Sequence, residues 1–181
     1  GKVPNASAEE MTEAVTAAKE AFRAWKKTTQ KQRVALIEEI AQRLEARADG
    51  FAKIEALDTG HTVGPMTNDV HKAVERMRFY CGLAYELKGM TVPSTPENIH
   101  LTLREPYGVV GRIIPFNHPI GFAASRIAPA LIAGNTIVVK PSEQAPLSAS
   151  LLAEICAEVA PRGVINIVTG DRATGEVLVR D

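Results

Sequence analysis

Cysteine is scarce in this sequence, which has only Cys81 and Cys156 among its 181 residues. The two lie far apart on predicted helices, offer no disulfide framework and suit a reducing cytoplasm, where we expect the protein to reside. A charge excess is also missing, because Lys and Arg total 21 and Asp and Glu total 21. This balance gives no support to nucleic acid or an anionic membrane surface as a partner.

Long apolar runs, internal repeats and low-complexity tracts are missing too. No stretch has the length of a membrane span or the pattern of a signal peptide, so we expect no membrane association. Metal-ligand spacing is absent as well, and no metal is predicted from the four histidines, His61, His71, His100 and His118. The 45% hydrophobic content is typical of a globular protein, and the length suits one domain with its own core.

Amphipathic helices are predicted in the first part of the chain. Ser7 and Glu10 form a capping box before the first helix, and a second begins near Lys31. Asp49 is expected to cap a short third helix, and a fourth is expected to begin near residues 67–68. The apolar stripes of these helices predict a helical part over residues 1–98.

A connecting loop and an exposed strand are predicted next. Met90–Asn98 is rich in Pro, Thr and Ser, which favours a loop. Apolar and polar residues alternate over Ile99–Arg104, and this alternation predicts a half-exposed strand.

The strongest pattern lies between Glu105 and Glu143. An apolar strand over Val109–Ile114, a proline-flanked turn and a helix over Ile120–Ala133 lead to a β-branched strand over Thr136–Val139. Gly134-Asn135 ends the helix. This order is a right-handed βαβ unit with parallel strands, and the continuous apolar runs predict strands covered on both faces.

A further helix, strand and helix follow, over Leu147–Val159, Val164–Val168 and from Thr174 onward. The order β-α-β-α-β-α predicts an α/β fold containing half of a doubly wound, Rossmann-like parallel sheet. The glycine fingerprint GxGxxG is missing, which counts against an ordinary Rossmann dehydrogenase.

Polar residues follow the carboxyl ends of the first two strands of this sheet. Asn117 comes after the first strand, and Lys140, Ser142 and Glu143 come after the second. Ligands of open parallel sheets bind at this edge, so all four residues are expected to line one crevice. Spacing alone leaves open that Asn117 only shapes a turn and that Lys140 is a solvated strand end.

Several motifs carry a resemblance to one family. EPYGVVG, PFNHP, Gly-Asn, KPSE and APLSA follow one another at the family's separations, and similar sequence extends over essentially all 181 residues. The chain resembles the N-terminal portion of the aldehyde dehydrogenase superfamily, in particular NAD-dependent and betaine-aldehyde dehydrogenases.

The resemblance implies a role for each motif residue. Asn117 corresponds to the donor that stabilises the oxyanion formed when a cysteine thiolate adds to an aldehyde. Lys140 and Glu143, with Ser142 between them, correspond to residues that hold the adenosine ribose, and a carboxylate there favours NAD over NADP. The positions flanking the cofactor are Ile113, Ile114, Pro115 and Phe116.

Three positions depart from the family's pattern. Phe116 replaces a frequent Trp, Arg172 stands where many members have Gly near the adenine, and His118 replaces an aromatic or aliphatic residue. His118 is therefore expected to face the aldehyde channel and to affect the choice of substrate. Betaine aldehyde, a semialdehyde and a plain aliphatic or aromatic aldehyde all remain open.

The family's nucleophilic Cys, catalytic Glu and catalytic domain have no counterpart among these 181 residues. Cys81 and Cys156 lie inside helices without an activating cation or helix N-terminus, so both are expected to be structural. We therefore expect a helical part over 1–98, an oligomerisation-arm strand over 99–104 and a partial NAD-binding domain over 105–181. The resemblance implies a dimer or tetramer and an inactive isolated chain; the alternatives are an NADPH-dependent acyl reductase and a non-catalytic nucleotide-binding module.

Overall fold

The fold combines α-helices with two small β-sheets, and the computed structural model describes residues 2–180. The helices are α1 (Ala8–Trp25), α2 (Gln30–Ala46), α3 (Ala48–Thr59), α4 (Val63–Leu83), α5 (Pro119–Ile132), α6 (Leu147–Val159) and α7 (Arg172–Arg180), with a short 3-10 turn at Ala84–Glu86. The strands are β1 (Thr91–Thr95), β2 (Asn98–Leu101), β3 (Val109–Ile113), β4 (Thr136–Lys140) and β5 (Ile165–Ile167).

The three later strands form the predicted parallel sheet. Its order is β3-β4-β5, with Ile113 opposite Lys140 and Val139 opposite Ile167. Every residue of β4 is buried, but β3 lies at the edge and its Gly111 and Ile113 are exposed. Coverage on both faces is therefore confirmed for β4 and wrong for β3, because continuous hydrophobicity does not distinguish a central strand from an edge strand.

Helix α1 starts as predicted and packs on this sheet. Ser7 and Glu10 form the capping box, and the apolar stripe of the helix is buried. The Thr136 hydroxyl of β4 donates a hydrogen bond to the Ala18 carbonyl at 3.0 Å, which ties the centre of the sheet to α1. The residues before α1 also pair with the segment before α7, where the Ala6 amide donates to the Thr169 carbonyl at 3.0 Å.

One hydrophobic core joins the N-terminal helices to the sheet. Helix α4 packs against α5, α3 and α2. The shared cluster includes Phe51, Met77, Ile120, Leu131 and Val139, all at most 1% exposed. Within residues 2–180, no helix combines the length and the apolar composition that crossing a membrane requires.

Two helix starts differ from the prediction. Asp49 does not cap α3, which begins at Ala48 directly after α2, so that Asp49 lies inside its first turn. Helix α4 begins at Val63 rather than near residue 67, and Pro65 lies in its first turn. A first-turn proline is tolerated because the amide it lacks has no helical acceptor, so Pro65 does not mark a break.

The segment from Thr91 to Leu101 is an exposed β-hairpin. The loop predicted over Met90–Asn98 is wrong, because β1 lies within it and pairs antiparallel with β2. The strand predicted over Ile99–Arg104 is shorter, ends at Leu101 and has one edge paired. Pro93 and the neighbouring hydroxyl residues are typical of loops, whereas the pairing that makes them a strand depends on the second strand of the hairpin.

Candidate active site

A cavity of about 360 Å³ lies at the carboxyl ends of β3 and β4, the edge where a ligand crevice was expected. Ile113 and Lys140 line it from the sheet, Glu143 from the loop after β4, and Arg172, Gly175 and Glu176 from α7. Arg172 is exposed and paired with Glu176, with 2.8 Å between guanidinium Nε and Oε1. The cavity is therefore bounded by both charged and apolar groups.

Lys140 is the most constrained polar residue of this cavity. It is the last residue of β4 and only 3% exposed, and its ammonium donates to the Pro141 carbonyl at 3.2 Å and to Glu143 Oε2 at 3.4 Å. Gly175 of α7 lies beside this side chain, where a Cβ would be in ordinary van der Waals contact, 3.4 Å from Lys140 Cδ and 3.9 Å from Ile113 Cδ1. The alternative that Lys140 is a solvated strand end is wrong.

Glu143 presents an ionised carboxylate beside this buried ammonium. A hydrogen bond from its own backbone amide, and secondarily the charge of Lys140, lower the pKa of the exposed Glu143 carboxyl. Ser142 does not line the cavity, since its hydroxyl accepts from the Gln144 amide at 3.2 Å in the turn before α6. Ile114 is buried, and its amide donates to the Lys140 carbonyl at 2.9 Å, which fixes the ends of β3 and β4 together.

Asn117 lies in an exposed turn between β3 and α5, next to the exposed Pro115 and Phe116. Its carboxamide makes no hydrogen bond within residues 2–180, so both its donor and its acceptor are free. Asn117 does not line the cavity that contains Lys140 and Glu143. The structure thus brings Lys140 and Glu143 together in one cavity, while Asn117 and Ser142 lie outside its lining and their place in a larger crevice stays a prediction.

Glu55 holds the start of α5, directly after this turn, by hydrogen bonds, and the sequence analysis did not identify it. It is fully buried in α3, and its Oε1 accepts from the Ile120 amide at 2.5 Å and from the Ser148 hydroxyl at 2.8 Å. Burial raises the pKa of Glu55, and its Oε2 has no hydrogen-bond partner in the described chain. The available signal was a carboxylate four residues after Phe51, on the inner face of a helix.

His118 directly follows Asn117 and lies over a second cavity between α4 and α5, of about 240 Å³. Its Nδ1 is 2.6 Å from Asp69 Oδ2, its ring stacks on His61 with centroids 6.1 Å apart, and Phe122 meets it edge-on. Lys72 and Arg76 of α4 complete the polar lining. Of the residues singled out in the sequence, only His118 lines this second cavity.

Neither cysteine has the properties of a nucleophile. Cys81 and Cys156 are both buried, and burial raises the pKa of each thiol to about 12. The prediction that both are structural is consistent with this, since a reactive cysteine needs a thiolate. In the part of the chain that the structure describes, no three His, Cys, Asp or Glu side chains are grouped to hold a metal ion.

Known proteins resemble this chain over its full length. A sequence profile of the Aldehyde dehydrogenase family matches residues 1–181. The aldehyde dehydrogenase tropH of Talaromyces stipitatus is 40% identical over 181 residues, covering 98% of this chain and 35% of that protein.

Several solved structures also resemble this chain over nearly its whole length. PnpE from Pseudomonas sp. WBC-3, in complex with nicotinamide adenine dinucleotide, matches with a TM-score of 0.95 at 36% identity, covering 100% of this chain and 38% of PnpE. An E. coli protein described as an NADP dependent enzyme matches with a TM-score of 0.94 at 30% identity, covering 98% and 37%. This chain therefore spans between 35% and 38% of the length of these three relatives.

These matches confirm the predicted fold class, an α/β fold with N-terminal helices and part of a doubly wound parallel sheet. The predicted domain limits at residues 98 and 104 remain predictions. In the structure, one hydrophobic core joins the N-terminal helices to the sheet. The match of the family profile to all 181 residues, together with the identity to tropH, settles the relationship. The chain belongs to the aldehyde dehydrogenase family.

Proposed function

We propose that this chain contributes the oxyanion donor and part of the cofactor site to an enzyme that oxidises an aldehyde to a carboxylic acid with NAD as acceptor. The observation that carries the proposal is the buried Lys140 ammonium beside the ionised Glu143 carboxylate, at the carboxyl end of a parallel sheet. Such an edge is where open α/β sheets bind nucleotides.

The residues around the cavity fit the adenosine ribose of a dinucleotide. Lys140 has donors to offer to the ribose hydroxyls, while the Glu143 carboxylate accepts from a 2′-hydroxyl and repels a 2′-phosphate. Ile113 gives the cavity an apolar wall, and Gly175 of α7 lines it from the opposite element. Ile114, Pro115, Phe116 and Ser142 lie outside this cavity and belong to the proposed cofactor-binding set only by their resemblance to the family's motifs.

Asn117 is the proposed catalytic residue of this chain. Its carboxamide is exposed and free within residues 2–180, so it can donate a hydrogen bond to an aldehyde oxygen. A neutral amide suits a developing oxyanion because it donates without losing its proton. One fixed donor of this kind lowers the barrier by about 3 to 4 kcal/mol.

The remaining chemical groups are proposed to lie outside these 181 residues. The thiol that adds to the aldehyde and the glutamate that activates water for thioester hydrolysis are not assigned to this chain, since Cys81 and Cys156 are buried thiols with a pKa of about 12. When bound, NAD supplies the acceptor for the hydride. The part of this chain is to hold the ribose and to donate to the oxyanion.

Two other functions compete with this proposal. An NADPH-dependent acyl reductase is one of them, and one similar structure is described as an NADP dependent enzyme, which bears on the cofactor but not on the reaction. The Glu143 carboxylate argues against it, since a 2′-phosphate would meet a negative charge. A non-catalytic nucleotide-binding module is the third possibility, and nothing in the site favours it over catalysis.

We further propose that the complete protein is a cytoplasmic homo-oligomer, a dimer or a tetramer, that acts on a small-molecule aldehyde. The support for association is the β1-β2 hairpin, whose residues are all exposed. Ile99 and Leu101 are 66% and 68% exposed, so the hairpin offers apolar surface and a free strand edge to a second copy.

Cofactor binding by the Glu143→Gln variant of the full-length protein tests the site. The substitution removes the charge but keeps the size, so the ratio of NADP to NAD affinity is expected to rise by about tenfold, since each 1.4 kcal/mol changes an affinity by that factor. Calorimetric titration with each dinucleotide measures the ratio. Glu154→Gln, at an exposed position on α6 outside the cavity, is the matched control and should leave the ratio unchanged.

Two results would count against the cofactor site. If the wild-type protein bound neither dinucleotide, the proposed function would fail. If Glu143→Gln and Glu154→Gln gave the same ratio as the wild type, Glu143 would not be the residue that distinguishes the two cofactors.

A further inference from the structure

The cavity between α4 and α5 lies directly beside the proposed catalytic turn. His118, which follows Asn117 in the sequence, and Gly121 and Phe122 of α5 form one side. Asp69 and the α4 residues Lys72, Ala73 and Arg76 form the other. A group bound in this cavity would therefore lie next to His118, the residue that follows Asn117.

The charges of this cavity do not balance. Asp69 is the one acidic residue of the lining and is engaged by His118, with 2.6 Å between Oδ2 and Nδ1. Lys72 and Arg76 have no hydrogen bond or ion pair within residues 2–180. The two cations are four residues apart on one helix face, an arrangement in which like charges destabilise a helix. An anion between them would relieve this repulsion.

The shape of the cavity favours a small, partly apolar group. Ala73 is buried and Phe122 is half-buried, so the cationic side chains are accompanied by apolar walls. A Cβ at Gly121 would contact His118 Cβ at 3.8 Å and Asp69 Cβ at 3.9 Å, so the glycine keeps this end open. The volume of about 240 Å³ is below that of a typical drug-sized pocket and suits a short aliphatic acid.

We propose that Lys72 and Arg76 bind the carboxylate of an aldehyde substrate, so that the enzyme acts on short semialdehydes with a carboxylate at the end remote from the aldehyde. This inference rests on the proposed function for the reaction itself. The paired Asp69 and His118 line the same cavity, and His118 directly follows Asn117 in the sequence. Arg76 offers a guanidinium fork suited to a carboxylate, and Lys72 adds a second charge.

The same cavity disfavours a quaternary ammonium substrate such as betaine aldehyde. Recognition of such a cation depends on aromatic faces, and Phe122 is the one aromatic ring in the lining besides the His118 imidazole. Two unpaired cations would also repel it. A plain aliphatic aldehyde would fill the apolar walls but leave both cations without a partner.

The test compares succinic semialdehyde with its neutral analogue of equal carbon number, butanal, as substrates of the full-length protein. Wild type is expected to prefer the semialdehyde in kcat/KM by about tenfold or more, as charge-assisted hydrogen bonds to a carboxylate give. Lys72→Met and Arg76→Gln should each lower this preference by about tenfold. Lys53→Met removes a positive charge from an exposed position on α3 and should leave the preference unchanged.

Equal kcat/KM for the two aldehydes in wild type, or an unchanged preference in both cavity variants, would overturn the inference while leaving aldehyde oxidation itself intact. If neither aldehyde produced NADH, the proposed function would fail instead. Calorimetric binding of succinate tests the cavity independently of the reaction. Binding weakened about tenfold by Lys72→Met and Arg76→Gln supports the carboxylate site, and binding that is absent or unaffected by both overturns it.

Discussion

Single residues decide how the turn before α5 is held. Asn117 is exposed and free, but the first amide of the helix behind it, that of Ile120, is held by the buried Glu55. The carboxylate also accepts from the Ser148 hydroxyl of α6 and so joins three helices at one point. A buried acid is costly unless it is hydrogen-bonded or neutral, and here burial raises the pKa of Glu55.

Stability should therefore depend on pH through Glu55. Its ordinary pKa is 4.5 and its pKa in the folded chain is higher, so the stabilisation it gives is fully present below about pH 4.5 and is lost as the pH rises through the folded-state pKa. Glu55→Gln keeps an oxygen acceptor and has no charge. The unfolding free energy of this variant, measured by denaturant titration, should rise relative to that of wild type as the pH rises through that window.

Glu55→Ala separates the hydrogen bonds from the charge. It leaves the Ile120 amide and the Ser148 hydroxyl without their acceptor, and each unsatisfied buried donor costs about 1 to 3 kcal/mol. This variant should be less stable than wild type across the whole pH range. A Gln variant with the same pH dependence as wild type would show that Glu55 does not titrate in the window.

The helices and strands that are bounded by a proline or a glycine were predicted well. Helix α5 and strand β4 lie within one residue of their predicted limits, because Pro119 opens the helix and Gly134 closes it. The β1-β2 hairpin was missed, since its pairing depends on a second strand rather than on its own residues. The start of α4 was placed about four residues too late, since the helix begins at Val63 and accommodates Pro65 in its first turn.

Gly134 gives a test at the element scale. It has φ +87°, and a Cβ there would lie 2.7 Å from Nη1 of Arg33, a buried guanidinium that donates to the Ile132 carbonyl at 3.1 Å. Gly134→Ala should destabilise the chain by at least about 1 to 2 kcal/mol from the backbone alone, with a further cost from displacing Arg33.

Gly50→Ala is the matched control for Gly134→Ala. Gly50 lies inside α3, and a Cβ there meets nothing within 4 Å. The same substitution at this site should stabilise by about 0.5 to 1 kcal/mol, because alanine favours a helix. Thermal unfolding of both variants measures the contrast, and a Gly134→Ala protein as stable as Gly50→Ala would contradict this account of the turn.

For the whole molecule, the sequence predicted the parallel sheet but not that the candidate site residues lie around two separate cavities. The rule that ligands bind at the carboxyl ends of parallel strands led to Lys140 and Glu143, which do line a cavity there. The same rule placed Asn117 with them, although the chain turns away after β3 and leads into the cavity between α4 and α5. The α4 residues of that cavity, Lys72 and Arg76, carried no signal in the sequence, because charges on an outer helix face are usually solvated.

The proposed functional groups lie at separate places in the molecule. The proposed oxyanion donor, Asn117, lies in an exposed turn, and the proposed ribose-binding pair, Lys140 and Glu143, lies in the first cavity, while both cysteines are buried thiols. The central claim is that residues 1–181 contribute binding and oxyanion stabilisation to aldehyde oxidation and depend on a thiol from elsewhere.

The most direct test is aldehyde-dependent NADH formation, followed by absorbance, in residues 1–181, in the full-length protein and in its Asn117→Ala variant. We predict no NADH from residues 1–181, turnover by the full-length protein, and a fall in kcat of about a hundredfold to a thousandfold for Asn117→Ala, with NAD affinity retained. NADH formation by residues 1–181 alone, or wild-type kcat in Asn117→Ala, would contradict the account.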